Sequence, residues 1–597
     1  MTEERPADWA PGLADTFTYQ VDVVATKRAL EAEEKRAAKA EKGLKDMAAS
    51  PWWKLTARPR GVVAKRKARK AANTPERKQV GGPTNPKLAP AEWVKAREDA
   101  LVLRLQTVLD EYDAGTKSSN PPELATQLSQ LATLLANKPK DKPLAWLAYV
   151  AIVAKYPTNQ DVLRFSTDIQ VDGPPAAIAQ LLRINTERPN SWTLVADLEL
   201  LRDVVIDPTL TSQRTFHTGI QRVVRETVPR WAAKHPVQLM IWGGGAEAFR
   251  PPTQPEAWRI MEVEPRQAKV PGHGVKVVPT TIRVPWNTMV IAPEPTGPIR
   301  RAEALACMAE WSNNQLSTIY YDFIMYIFPE AFRNESRVTL SDYIPAVRTS
   351  TRVSAISESV AADMRHYAAT IANAGMPEPQ VGAQVLPVEA LAMSEPEYLA
   401  NIPRVVGVPG LPVVLAVGSI EPRKNHVMTM RAAEKLWREG IAFQLVIIGW
   451  GQWGADGVLE EYERLQQKGR PIRLIRRADE ALLWTAYRQA RFSVYISLVE
   501  GYGLPAAESI AAGTPVVLSK VGSMAEIGAD GGAAMVDPRD LDDVADAMRT
   551  LLTDDAALAE LEEQARNRPQ STWDDYADAT WKWLVDGEAS TTSEPNS

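Results

Sequence analysis

Two series of short apolar runs alternating with helix-forming stretches constrain this chain more than any other feature. From Ser191 onward come WTLVADLEL, then TGIQRVVRETVPRWAAKH, then VQLMIW, TMVIA, LSTIYYD and RVSAIS. After a proline-rich join (Pro403–Pro412) a second series follows. It reads LPVVLAVGS, a helix over 426–439, FQLVIIG, a helix over 457–468, PIRLI, a helix over 479–489, FSVYISL and PVVLS. Strands of four to seven apolar residues separated by helices predict parallel sheets with βαβ crossovers, buried on both faces. Two such units make a two-lobed α/β protein. Ligands then belong at the carboxyl ends of the strands, in the cleft between the lobes.

The 597 residues predict three or four structural units at roughly 100–200 residues each. Cys307 is the single cysteine, which excludes an intramolecular disulfide scaffold and a cysteine-rich zinc module. His217, His235, His273, His366 and His426 are scattered without ligand spacing. The acidic start MTEERPADWAPGLADTF lacks an apolar core, so no secretory signal is expected. Pro143–Ala154, the longest charge-free apolar stretch near the front, is about half the ~20 residues that span a bilayer. A cytoplasmic protein without a transmembrane helix is the expectation.

Charge is unevenly spread. Residues 51–78 hold ten basic side chains against Glu76 alone, which makes that segment +9 and leaves −14 for the rest of a chain whose net charge is −5. Trp52, Trp53, Leu55, Val62 and Val63 sit among these cations. Indoles beside cations suit a bilayer interface with anionic headgroups. A solvated charge run and phosphate contacts to nucleic acid are the alternatives, and the tryptophan pair favours the membrane surface. Upstream, residues 26–50 are rich in Ala, Glu and Lys and predict a helix, mostly solvated or a short coiled-coil arm. Residues 81–90 read as a linker, and 91–189 as helices separated by proline breaks, a region of packing or partner binding. The expected order is therefore an arm and linker over 1–90, partly disordered, then a helical domain over 91–189. Two α/β lobes follow over 190–400 and 401–585, then a disordered tail over 586–597.

The sharpest motif is LVEGYGLPAAE, residues 498–508, directly after the strand FSVYISL. Gly501 and Gly503 allow close backbone approach, and Pro505 suits the first turn of a helix over 505–512. A glycine loop feeding a helix amino terminus presents free N–H groups to a phosphate or a sugar hydroxyl. Glu500 and Glu508 could grip different parts of one ligand. A tight turn with a capping glutamate is the plain alternative. The second motif is VGSIEPRKN, residues 417–425, again between a strand and a helix. Arg423 and Lys424 put positive charge at a strand mouth, where a diphosphate could be neutralised; a solvated basic loop is the plain alternative.

GSIEPRKNH and EGYGLPAAES, followed by AAGTPVVLSKVGSMAEI, resemble the donor lobe of the retaining nucleotide-sugar glycosyltransferases of the GT-B fold, the large family four. STWDDYADATWKWL is similar to the closing helix of that family, and HTGIQRVVRE resembles the first loop and helix of its surface-polysaccharide subgroup, with mannosyl- and rhamnosyltransferases. The resemblance implies two Rossmann-like lobes facing a cleft, preceded here by a mostly helical extension. It also implies site roles. Arg423 and Lys424 would bind the donor diphosphate, Glu508 the ribose hydroxyls, and Glu500 would face the donor sugar as the catalytic group. Gly501, Tyr502, Gly503 and Leu504 would contact sugar and phosphate. Thr218, Gly219 and Ile220 would line the cleft from the other lobe, and Asp322 falls where relatives have a His-Asp pair; here the run is Tyr320-Tyr321-Asp322. Ser419 stands where relatives often carry arginine.

The implied activity is retaining transfer of a hexose or deoxyhexose from a nucleoside-diphosphate sugar to a glycan or lipid-linked acceptor, for cell-surface polysaccharide. No cofactor and no metal are expected, because Arg423, Lys424 and a helix dipole can neutralise the leaving diphosphate. Asp540-Leu541-Asp542 reads as a helix start rather than a metal site. Expected partners are the donor, the acceptor and an anionic membrane at the inner face of the plasma membrane, met through residues 51–78; no nucleic acid is expected. A catalytically weak scaffold in a cell-envelope complex is the alternative, motivated by the helical region and the basic arm.

Overall fold

The computed structural model describes residues 90–114, 122–185, 188, 191–214, 218–261, 280–328, 343–451 and 455–588. The basic arm, the rest of residues 1–89, His217 and the tail beyond 588 lie outside the described residues.

Five helices open the described chain: α1 (Pro90–Glu111), α2 (Leu124–Asn137), α3 (Lys142–Val153), α4 (Asn159–Val171) and α5 (Pro174–Ile184). Helix α3 contains nearly all of the long apolar stretch noted above, and every residue from Leu144 to Val153 is buried. A helix that is apolar all round belongs in a core, and the others wrap it. Among the described residues, no helix is long and apolar enough to cross a membrane.

The helical region does not keep its core to itself. Its leucines and Trp146 pack in one cluster with Leu198 of strand β1 (Asp197–Leu201), Ile282 and Val284 of β6 (Thr281–Pro285), and Leu305 of a later helix. Arg104 welds the join. It is 1% exposed, and its Nε donates to the carbonyl of Ala151 at 2.7 Å and its Nη1 to that of Ala196 at 2.6 Å.

Beyond this join the described residues form three sheets. A small one has the order β1-β6-β5-β4, with β5 at Phe249–Arg250 and β4 at Ile241–Trp242. The first large sheet is wholly parallel, in the order β10-β9-β8-β7-β2-β3. Its strands are β2 (Val204–Ile206), β3 (Val237–Leu239), β7 (Met289–Ala292), β8 (Gln315–Tyr320), β9 (Arg352–Ala355) and β10 (Gln380–Ala383). Two expected strands therefore fall differently. WTLVADLEL contributes β1 to the small sheet, and VQLMIW is divided, β3 in the large sheet and β4 in the small one.

The second large sheet is also parallel, in the order β13-β12-β11-β14-β15-β16. It comprises β11 (Val413–Val417), β12 (Gln444–Ile448), β13 (Ile472–Ile475), β14 (Ala490–Tyr495), β15 (Val516–Ser519) and β16 (Ala533–Val536). All five residues of β12 and all four of β15 are buried, which explains their unbroken apolar runs. Within the lobe this is a doubly wound order that reverses between β11 and β14, and a crevice for ligands opens at such a reversal. The expected α/β architecture, two Rossmann-like lobes with parallel sheets after a helical extension, is what the described residues adopt.

Helix α6 (Gly219–Lys234) follows β2, α7 (Ile299–Trp311) follows β7, and α8 (Glu358–Asn373) follows β9. In the second lobe α9 (His426–Arg438) follows β11, α10 (Glu480–Gln489) follows β13, and α11 (Leu504–Ala511) follows β14. The last helix, α12 (Trp573–Trp581), returns to the first lobe. Trp231 donates from its indole to the Ala577 carbonyl at 2.8 Å, and Ser317 to that of Leu584 at 3.0 Å.

Because Arg104 satisfies carbonyls on both sides of the join, Arg104→Ala leaves buried acceptors unpaired. Urea denaturation is expected to show a loss of about 3 kcal/mol, and an unchanged midpoint would mean the join is held otherwise.

Candidate functional site

Both motifs sit at the sheet reversal. Residues 418–425 leave β11 and residues 496–503 leave β14, its neighbour. The Leu498 N–H donates to the Arg423 carbonyl at 2.8 Å, and the Asn425 amide to the Pro538 carbonyl at 2.7 Å, so the loops are pinned to each other and to the end of β16. His426, fully buried, places Nε2 3.1 Å from the Ser419 carbonyl; burial pushes its imidazole down to about 4 and keeps it neutral.

Glu500 is clamped by two cations. Lys424 Nζ lies 2.5 Å from Oε1, and Arg423 Nη1 lies 2.6 Å from Oε2. Lys424 also donates to the Tyr495 hydroxyl at 2.7 Å, and Arg423 Nη2 meets Glu421 at 2.8 Å. Burial alone would push the Glu500 carboxyl up, but Lys424 and Arg423 outweigh it and hold the group at about 2. Burial lowers Lys424, against the pull of Glu500. The cations expected at the strand mouth are therefore not free in the structure; each is paired with a carboxylate.

Gly501 and Gly503 earn their places by geometry. A Cβ on Gly501 would stand 2.3 Å from the Tyr321 carbonyl of the first lobe. Gly503 has φ of +121°, a conformation that L side chains rarely adopt. Helix α11 begins at Leu504 with Pro505 in its first turn, one residue earlier than expected. Its opening turn abuts the opposite lobe, where a Cβ on Gly219 would meet Leu504 at 3.4 Å.

Glu508 lies buried on α11. Tyr487 donates to its Oε2 at 3.0 Å, and Arg222 of α6 reaches across from the first lobe to its Oε1 at 2.9 Å. Burial raises this carboxyl, opposed by Arg222 and Tyr487. Asp322 accepts from the Ile324 N–H at 3.0 Å, and burial raises it as well. Tyr321 turns its hydroxyl to the Pro293 carbonyl at 2.7 Å. Asp540 caps the helix Leu541–Thr553 by accepting from the Asp542 and Asp543 N–H groups, as the helix-start reading expects.

One cavity of about 980 Å³ between the lobes gathers these groups. Glu500, Arg423, Lys424, Gly501, Tyr502, Gly503, Leu504 and Glu508 line it from one side, and Thr218, Gly219, Ile220 and Asp322 from the other. Sequence reasoning missed Arg222, Tyr495 and Tyr487. Arg222 lies inside the quoted run HTGIQRVVRE, so its closeness to Thr218 and Gly219 was the available signal.

Residues 401–568 match the family model of glycosyl transferases group 1, a span that includes both motifs and all six strands of the second lobe. The serotype-specific mannosyltransferase WbdA of Escherichia coli is 32% identical over 116 residues, 19% of this chain and 14% of the relative. O-antigen chain mannosyltransferase B of Escherichia coli is 34% identical over 143 residues, 24% of this chain and 37% of the relative. The chain thus spans 14% and 37% of the length of these curated relatives. The crystal structure of Anabaena Alr3699/HepE in complex with UDP and glucose aligns over 61% of this chain and 94% of its own, at 14% identity and a TM-score of 0.42. Over residues 401–568 the resemblance drawn from the two motifs and the match to the glycosyl transferases group 1 model coincide.

The clamp has a pH signature. A carboxyl held at about 2, against its usual 4.5, contributes stability above pH 4.5 that is lost as pH falls toward 2. The stability gap between the native chain and Glu500→Gln is expected to be level above pH 4.5, then to shrink by about 3 kcal/mol on acidification. Denaturant titrations from pH 7 downward check this; a gap that widens on acidification would contradict the pairing.

Proposed function

We propose that this chain is a retaining glycosyltransferase that moves a hexose or deoxyhexose from a nucleoside-diphosphate sugar to a glycan or lipid-linked acceptor in cell-surface polysaccharide synthesis. The observation that carries the reading is the Lys424–Glu500–Arg423 cluster at the sheet reversal, opening into one cavity with Glu508 and the first lobe. The names of the two relatives described above, both mannosyltransferases, favour a mannose-type donor, with rhamnose next from the subgroup resemblance.

The chemistry follows from the groups in the cavity. Breaking the bond from sugar to phosphate puts growing negative charge on the leaving diphosphate and positive charge on the anomeric carbon. Arg423, Lys424 and the amino terminus of α11 neutralise the first. Glu500, ionised and held in place by those same cations, faces the second. On arrival the diphosphate shares Arg423 and Lys424 with Glu500 and Glu421, so it enters a site whose charges are already ordered. Closure of the lobes excludes water and limits hydrolysis of the donor.

A panel of nucleoside-diphosphate sugars offered to the full chain tests this reading. Glu500→Ala and Lys424→Ala are each expected to lower sugar transfer by about a hundredfold or more while circular dichroism stays unchanged. Full activity in both variants would end the proposal, and a native chain that binds no nucleoside diphosphate would favour the scaffold.

The arm over residues 51–78 is the proposed contact to an anionic membrane at the inner face of the plasma membrane, where it would confine enzyme and lipid-linked acceptor to one surface. Vesicles containing anionic lipid are expected to sediment the full chain but not one lacking residues 1–80. Equal sedimentation would contradict that role.

A further inference from the structure

Glu508 is the only one of the candidate donor-binding side chains to take a salt bridge from the opposite lobe among the described residues. Arg222 supplies it through Nη1 at 2.9 Å, and the same guanidinium lies 5.8 Å from the centre of the Trp573 ring, on the helix that returns from the second lobe to the first. Tyr487 fixes the other carboxylate oxygen at 3.0 Å. Each oxygen of Glu508 thus has one partner set by the protein. A carboxylate has about four acceptor positions, so each oxygen keeps capacity for one further donor. A vicinal diol offers two O–H donors at a spacing that suits such a pair.

We propose that Arg222 is an interlobe positioning residue: from the first lobe it aims Glu508 at the ribose diol of the donor, and so ties nucleoside recognition to closure of the cleft. The inference rests on the cavity being a nucleotide-sugar site. Arg222 sits one turn into α6, whose Gly219 packs against Leu504 at the start of α11, so the contact needs the two helices brought together. When the lobes part, Glu508 loses its cation and keeps only Tyr487. Linkage then works both ways: a closed cleft favours the ribose, and a bound ribose favours the closed cleft. In this arrangement Arg222 acts through Glu508 and does not itself contact the reacting atoms.

Calorimetric titration of the full chain tests the inference. A panel of nucleoside diphosphates first identifies the binder, and its 2′,3′-dideoxy counterpart then measures what the diol contributes. The native chain is expected to prefer the diol-bearing form by about tenfold or more, as hydrogen bonds to a charged acceptor require. Arg222→Ala is expected to shrink that preference to about twofold, Arg222→Lys to restore part of it, and Arg222→Ala to add little in a Glu508→Gln background. In donor kinetics KM should rise in Arg222→Ala while kcat changes far less. If Arg222→Ala fails to fold, Arg222→Lys and Glu508→Gln carry the comparison. An unchanged preference, or fully additive effects of the two substitutions, overturns the positioning role and leaves the nucleotide site standing. No binding of any nucleoside diphosphate by the native chain overturns both.

Discussion

The ion cluster formed by Lys424, Glu500 and Arg423 is the contact on which the site depends. Its two sides come from loops that follow adjacent strands, β11 and β14, and the pair is separated by 76 residues along the chain. Burying three charges in one place is costly unless each is paired, and here Glu421 and Tyr495 complete the set. The neutral His426 beneath the first loop adds no charge to this balance. A cleft built in this way is charged but locally balanced, with its cations already held in an ordered shell.

The first lobe reaches this cluster through backbone as much as through side chains. Ser357 donates to the Gly501 carbonyl at 2.7 Å, and the Tyr321 carbonyl occupies the space a side chain at 501 would need. Glu526 of the second lobe accepts from the Glu358 N–H at 3.0 Å, at the start of α8. A cluster of buried residues runs without a break from Ile206 and Tyr321 through Val413 to Trp573 and Trp581, so the returning helix α12 joins the two lobes in one core. Arg222 on Glu508 adds a partly buried ion pair to this set.

Much of the second lobe was legible in sequence because its determinants are local. A strand such as QLVII is buried throughout since both its faces are covered, and Pro505 marks a helix start because proline, with its fixed φ and no N–H, is favoured in the first turn. The first lobe was less legible. VQLMIW reads as one strand, yet its halves serve two sheets, a division decided by pairing of the first half to β2, which lies 33 residues earlier, and of the second half to β5 just after it. The same reason hid the pairing of the cations. Arg423 and Lys424 were readable as charge at a strand mouth, but their attachment to Glu500 depends on which strands are neighbours. Arg222 was hidden further, because its partner lies 286 residues away on the other lobe. The long apolar run at 143–154 is ambiguous alone, and becomes a core helix only because four other helices surround it.

The most direct measurement of the central claim is a structure of the chain with its nucleoside diphosphate bound. The diphosphate is expected within hydrogen-bond distance of Arg423 and Lys424 and the ribose hydroxyls on Glu508, with Glu500 facing the vacant sugar position. A nucleotide bound elsewhere, or one that leaves Lys424 and Glu508 untouched, would contradict it.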